Sequence, residues 1–457
     1  MRVAAVLFLL LALPARGDEL HDVYRELIEI DTTHSTGSTT AAAQAVANRL
    51  LAAGMPAADV QVLIPPGKPT KGNLVARLRG TGARRPLLLL AHLDVVEARK
   101  EDWTTDPFKL VEKDGYYYGR GTTDDKAMVA IWTEIFVHLA SAKARPDRDL
   151  ILALTADEES GPDNGVAWLI ATHKDLISAE YALNEGAGGQ IKDGKYTANG
   201  VQLSEKVYAN FQLEVTNPGG HSSRPTKDNA ITRLAAGLVK LGAYDFPARL
   251  DDTTRAMLAA LGKIPGMKDA RDLTAAAAKG DPAVLARLSK NSFYNALLRT
   301  TCVATTVTAG HAENALPQRA QANVNCRILP GEAPAEVEKT LVRVLADPAI
   351  KVAPVGQIDA SAPSPLLPEL MGAVTDLTAA MWPGIVVLPS MSTGATDGRY
   401  LRAAGIPCYG VSGIFSDVDD PRAHGKDERL GTKQLDEGAI FLQRLVARLA
   451  GLPTPGG

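Results

Sequence analysis

Cysteine is scarce: Cys302, Cys326 and Cys408 are the three in 457 residues. That is too few for a disulfide framework to stand in for a hydrophobic core. A surplus of basic residues is missing as well, with 49 Lys and Arg against 52 Asp and Glu and a net charge of −3. No polybasic run occurs, so nothing argues for nucleic acid or an anionic lipid surface as a partner. Internal repeats, low-complexity tails and long flexible linkers are absent. Long apolar runs are also lacking. The one near the start, Val3–Pro14, is too short to span a bilayer.

That short run has a different meaning. Arg2 precedes it and Ala15-Arg16-Gly17 follows it as a small-x-small site, the layout of a secretory signal peptide. Residues 1–17 are expected to be removed, leaving a mature chain that starts near Asp18 and is secreted or periplasmic. The alternative is an uncleaved anchor. With no Cys at the junction a lipid anchor is not expected, and after cleavage no membrane attachment remains. Cys302 and Cys326 lie in two strand-like runs, so a bridge between them stays open. Small buried hydrophobes are the favoured reading.

What is present begins with Pro86–Val96, P-L-L-L-L-A-H-L-D-V-V. Four consecutive leucines are apolar on both faces, which fits a strand covered on both sides. Periodicity alone leaves a buried helix segment open, and Pro86 and the charged Glu97–Asp102 limit the run to a strand's length. His92 and Asp94 arrive at its C-terminal end, where open α/β sheets bind ligands. Two apart on a strand, they point the same way. A carboxylate beside an imidazole can orient the ring.

The rest of the first half alternates helices and strands, as a mostly parallel α/β sheet demands. Helices are expected over Leu20–Ile30, Thr39–Gly54 (capped by Thr39 or Thr40) and Met128–Leu139. Strands are expected over Val60–Ile64, Asn73–Leu78, Tyr116–Tyr118, Leu150–Thr155 and Tyr181–Leu183. At Lys206 the pattern changes. Val207–Thr216, Cys302–Thr308, Ala320–Ile328 and Lys351–Val355 read as strands, with helices from near Asp228 and over Ala335–Leu345. They compose an α+β module of split-βαβ, ferredoxin-like type. Residues 241–290 form a helical insertion within it. After Pro363 the α/β pattern returns and ends in the helix Asp436–Leu449. The expected division is therefore a catalytic domain of residues 18–205 and 359–457, interrupted by a lid of residues 206–358.

Acids and imidazoles gather at the loop tips: His92, Asp124, Glu158, Glu159, Glu185 and, far later, His424. Singly, each has a dull explanation as a surface acid or a satisfied histidine. Together they suit zinc or another borderline divalent ion, and two ions sharing one carboxylate would use the whole set.

The motifs H-L-D-V-V, G-R-G-T-T-D-D-K, T-A-D-E-E-S-G, L-N-E-G, N-P-G-G-H-S-S-R-P, T-G-A-T-D-G-R-Y-L-R and H-G-K-D-E-R-L occur in that order. The chain thereby resembles the dizinc exopeptidase and aminoacylase family over nearly all its mature length. That family includes glutamate carboxypeptidase, carboxypeptidase S, carnosinase-type dipeptidases and acetylornithine deacetylase. The resemblance implies that Asp124 bridges two metal ions, with His92 and Glu185 completing one site and Glu159 and His424 the other. It implies Zn2+, with Co2+ or Mn2+ as alternatives. Asp94 would orient His92, Glu158 would be the general base, and the Asp124–Asp125 peptide would be cis. His221, from G-G-H-S, would stabilise the oxyanion across a closed lid or from a second copy. Asn314 would reach substrate, Arg399 would hold its carboxylate, and Gly394 would begin the backbone loop beside it.

The chemistry explains the residue types. A divalent ion lowers the pKa of bound water from about 16 to roughly 7, and a neighbouring carboxylate can shuttle its proton to the leaving amine. Two departures from the family pattern are Ala127, where Gly is usual, and Asn184, where Asp is common. The insertion at 241–290 resembles the longer carboxypeptidase S branch and leaves open a monomer or a homodimer. The expected activity is hydrolysis of short peptides with a free carboxylate. Deacylation of N-acyl amino acids is the alternative, and a non-catalytic binding protein is a reading from another class.

Overall fold

The computed structural model describes residues 16–159 and 163–453, with side chains from residue 19. The expected signal segment, apart from Arg16 and Gly17, lies outside the described residues. Among them, no helix is long and apolar enough to cross a membrane.

The leucine run forms the strand Arg84–His92, whose Leu87–Leu90 side chains are at most 1% exposed. It lies between Arg148–Thr155 and Tyr181–Asn184, parallel to both. Burial on both faces explains why no polar residue interrupts the run. The helices Arg16–Glu29, Thr39–Ala52, Lys126–Ser141 and Thr432–Leu449 contribute to the main core on one side. Gly165–Thr172 and Gly398–Ala403 contribute to a smaller core on the other. Asn73–Leu78 and Val60–Leu63 extend one edge in antiparallel fashion. Beyond Tyr181–Asn184 come Cys408–Gly410, Lys195–Glu205, Gly189–Lys192 and Phe415–Asp417. Val386–Ser392 pairs with Lys195–Glu205, giving ten strands in all. The result is an α/β sheet, parallel at its centre.

The strand Lys195–Glu205 escapes the sequence pattern. It carries Asn199, Gln202, Ser204 and Glu205, yet its last eight residues are buried. Several of the polar groups are partnered internally: Asn199 Nδ2 donates to Thr378 Oγ1 (2.9 Å) and Gln202 Nε2 to Glu205 (3.1 Å), whereas Ser204 Oγ and Asn199 Oδ1 are buried without a partner. The second helix also differs at its start. Ser38, rather than Thr39 or Thr40, accepts the Ala41 amide as N-cap.

At Lys206 the chain enters a four-stranded antiparallel sheet ordered Thr301–Ala309, Arg319–Ile328, Val207–Thr216, Lys351–Val355. Helices Ala230–Gly242 and Pro334–Leu345 cover one face. The register sets Cys302 opposite Cys326, and the two form a disulfide. The favoured reading of these two as unpaired small hydrophobes is corrected by that pairing. Helices spanning Asp252–Leu298 fill the insertion. They pack on Ala198, Leu388 and Met391 of the large sheet.

Candidate metal and catalytic site

Three adjacent parallel strands deliver their C-terminal ends to one place. His92 is the last residue of its strand, Glu158 and Glu159 follow Thr155, and Glu185 directly follows Asn184. Asp124 comes from the loop before the helix Lys126–Ser141, and the Asp124–Asp125 peptide is cis. His424 sits in a left-handed backbone conformation (φ 62°) on the loop after Phe415–Asp417.

These side chains form two overlapping triads. His92, Asp124 and Glu185 present one donor atom each within 4.8 Å of one another, and so do Asp124, Glu159 and His424. Asp124 belongs to both. Its Oδ1 is 2.9 Å from His92 Nε2, and its Oδ2 is 3.2 Å from His424 Nε2, which also lies 2.8 Å from Glu159.

The bonding around His92 tests whether a cation fits. Its Nδ1 is 3.0 Å from the Asp94 carbonyl oxygen, an acceptor, so Nδ1 carries the proton. In the neutral ring Nε2 is then a lone pair facing a carboxylate lone pair. That contact needs a proton or a cation between the atoms. The carboxyls respond accordingly. Burial pushes Glu185 well above the usual carboxylate range, and it pushes Glu158 up to about 9 despite His92 nearby. Burial acts on Asp124 too, but hydrogen bonds from His424 and His92 outweigh it and hold that carboxyl low. Hydrogen bonds to Asp124 and then Glu159 raise His424 to about 10. Acids crowded against imidazoles that must become cations form a donor set suited to two divalent ions.

Asp94 behaves differently from expectation. Its backbone carbonyl, not its carboxylate, takes the His92 ring proton, and the carboxylate stands 3.7 Å from Nδ1. Its two carboxylate oxygens instead accept the amides of Glu158 (3.1 Å) and Glu159 (3.0 Å). Asp94 thus positions the acidic turn as well as the imidazole. Asp157, also left-handed at φ 56°, anchors the same turn through a 2.6 Å ion pair with buried Lys71.

Arg399 lines a cavity of about 170 Å³ with Glu205, Lys206, Tyr208, Asp359 and Ser361. Its Nη2 donates to Tyr400 Oη at 2.8 Å, and its buried Nε has no partner. Gly394 donates to Ser392 Oγ at 3.0 Å on the loop leading to Arg399. His221 and Asn314 belong to neither triad, and among the described residues they make no hydrogen bond or ion pair to a triad residue. They are exposed on a two-stranded ribbon in which Gly220–His221 pairs with Ala315–Leu316, and the Asn314 carbonyl accepts the Ser222 amide (3.0 Å). Because His221 Nδ1 accepts the Ser223 amide (3.2 Å), the neutral ring carries its proton on Nε2.

Several residues near the site have no counterpart in the sequence reading. Asp397 is buried, accepting from Asn164 Nδ2 (2.5 Å) and Thr155 Oγ1 (3.2 Å). Arg327, over the Tyr208 ring at 4.7 Å, is close enough to Arg399 for the two charges to repel. Among the described residues neither arginine is in an ion pair. Arg120 and Glu428 lie inside the motifs G-R-G-T-T-D-D-K and H-G-K-D-E-R-L, whose pattern alone assigns neither a role.

Fold and donor set together define a metal-dependent hydrolase. Residues 88–448 match the peptidase family M20/M25/M40, and the chain belongs to that family of enzymes acting on amide bonds. It is 28% identical over 373 residues to the human N-fatty-acyl-amino acid synthase/hydrolase PM20D1, covering 79% of this chain and 74% of that one. It is 30% identical over 373 residues to the probable carboxypeptidase S-like 2 of Dictyostelium discoideum, covering 79% and 71%. Among solved structures, the M20 family metallo-carboxypeptidase Sso-CP2 of Sulfolobus solfataricus has the same fold. Its TM-score is 0.69 at 19% identity, with 95% of this chain and 99% of that chain covered.

Proposed function

We propose that this protein is an exported dizinc exopeptidase that removes a residue from short peptides bearing a free carboxylate. The observation that carries the reading is Asp124 shared by two ligand triads, with Glu158 next to one ligand and itself in neither triad. His92, Asp124 and Glu185 would hold one ion, and Asp124, Glu159 and His424 the other. Bound there, a divalent pair supplies Lewis acidity and a water acidic enough to ionise near neutral pH.

The chain's own residues do the rest. With cations beside it to offset the burial that raises its pKa, Glu158, its amide fixed by Asp94, accepts a proton from the attacking water and passes it to the leaving amine. Arg399, bonded to Tyr400 but with its Nε unpartnered, offers its guanidinium to the substrate carboxylate. His221, with its free Nε2–H, donates to the developing oxyanion once the ribbon is brought over the site by closure or by a second copy. Asn314 accompanies it on the same ribbon. Export is supported by the residue pattern at 1–17 and by the Cys302–Cys326 disulfide, which suits an oxidising compartment. An N terminus at Asp18 in the mature protein would establish cleavage.

A second reading, hydrolysis of N-acyl amino acids, is favoured by the similarity to PM20D1. Both substrate classes place a carboxylate near the scissile amide, so Arg399 serves either. A panel of dipeptides and N-acyl amino acids, assayed on protein of measured metal content, separates them. In the same assay Glu158→Gln should retain both ions and the fold but lose about 10²–10⁴ in turnover. Near-normal turnover removes Glu158 from the base role. Absence of bound metal and of chelator-sensitive hydrolysis would favour the non-catalytic reading.

A further inference from the structure

The loops bearing Asp124 and His424 are held to each other by one buried ion pair, arranged reciprocally. Glu428 lies four residues after His424 and is fully buried. It reaches across to the Asp124 loop. Its Oε1 accepts the amides of Thr123 (2.7 Å) and Asp124 (3.1 Å), and its Oε2 accepts the Gly121 amide (3.0 Å). Arg120 lies four residues before Asp124 and reaches the other way. Its Nη2 donates to the carbonyls of Gly425 (3.0 Å) and His424 (3.4 Å). The two side chains meet at 2.6 Å between Arg120 Nη1 and Glu428 Oε2, and the Trp103 ring covers the guanidinium at 5.0 Å.

Each loop thus supplies both a metal-ligand candidate and the group that fixes the other loop's backbone. Carboxylate and guanidinium are the types this needs. One carboxylate accepts several amides at once, and a planar fork bonds a carboxylate and a carbonyl together. Neither side chain has a donor atom in the triads, and burial of an ion pair does not by itself favour stability. The neighbouring strands Tyr116–Tyr118 and Arg429–Gly431 already pair. What the ion pair adds is the placement of the Asp124 and His424 backbones.

We propose that Arg120 and Glu428 are positioning residues that set the distance between the two metal sites, Glu428 by placing the shared carboxylate of Asp124 and Arg120 by placing His424. This rests on the two-ion reading of the site. The test is titration of the full-length, metal-stripped protein with Zn2+ by calorimetry, and with Co2+ by visible absorption, in wild type, Arg120→Lys and Glu428→Asp. Arg120→Lys keeps the charge but loses the fork. It should weaken one of the two binding steps at least tenfold and leave the other within twofold. The absorption band of the weakened step should shift as its coordination changes. Glu428→Asp keeps the ion pair but shortens the reach to Asp124, which both sites share, so both steps should weaken.

Wild-type affinities in both variants, with only the melting temperature lowered, would reduce the pair to a structural brace and overturn the proposal. Equal weakening of both steps in Arg120→Lys would also overturn it. Should one variant fail to fold, the pattern in the other still decides its half: a selective loss for Arg120, a general loss for Glu428. Fewer than two ions bound by the wild type would instead refute the two-ion reading beneath it.

Discussion

Replacing Arg399 with alanine should abolish the preference for a free carboxylate while leaving the fold intact. The guanidinium bonds to Tyr400 and lies 4.6 Å from that ring's centroid, but its buried Nε is unpartnered. It is therefore available for a planar, bidentate partner. Each charge-assisted bond to a carboxylate contributes about 1.5–3 kcal/mol, so a forked pair is worth about 3–6 kcal/mol. At 1.4 kcal/mol per factor of ten, and taking the lower half of that range because the cavity opens to solvent, kcat/KM should fall about 10²–10³-fold.

The contact is present in ground and transition states alike, so the loss should appear in KM more than in kcat. The assay compares a dipeptide with its C-terminal amide in both proteins. Wild type should discriminate by about 10²–10³, and Arg399→Ala should barely discriminate. No ion pair is lost, so the melting temperature should fall only by the small contribution of the Tyr400 hydrogen bond and ring contact. Undiminished discrimination in the variant, or an equal loss on acid and amide, refutes the assignment.

Three further outcomes follow from the packing and charge. Converting Cys302 and Cys326 to serine removes a cross-link over a sequence separation of 24, worth about 3 kcal/mol in the chain-entropy model. Urea unfolding should show the loss, and reductant should reproduce it in wild type but not in the variant. Burial, reinforced by Arg327, pushes the Lys206 amine down to about 7. The unfolded chain then binds more protons than the fold between about pH 7 and about pH 10.5, so this group makes stability rise with pH there. Lys206→Met should flatten that rise by up to about 3 kcal/mol between about pH 7.5 and about pH 10, read from unfolding at both values. Chelation should abolish hydrolysis and lower the melting temperature together, because Asp124, Glu159 and Glu185 are left facing one another, and zinc should restore both.

The parts of this molecule governed by local rules were legible in its sequence. Asn73–Leu78, Tyr116–Tyr118, Val207–Thr216 and Lys351–Val355 have the ends that their patterns indicate. The leucine run reads as a central strand because it is apolar on both faces and Pro86 and the charged Glu97–Asp102 hold it to a strand's length. The acids at loop tips stood out because parallel strands end there. What stayed hidden depends on distant partners. Lys195–Glu205 looks polar, and the partners that help to bury it, such as Thr378 for Asn199 Nδ2, lie far away in the chain. The cysteine pair depended on strand register. The bond between Asp94's carboxylate and the acidic turn crosses 64 and 65 residues, and the Arg120–Glu428 pair crosses 308. No spacing rule reaches that far.

The order in which the donors occur along the chain has a consequence for biosynthesis. His92, Asp124, Glu159 and Glu185 all precede the excursion that begins at Lys206, whereas His424 and Glu428 come after it. During translation the first triad is complete long before the second has its histidine or its brace. A nascent chain halted inside the excursion holds the donors of a mononuclear site only. Two-ion occupancy therefore reports that nearly the whole polypeptide has been made and has closed back on its own beginning.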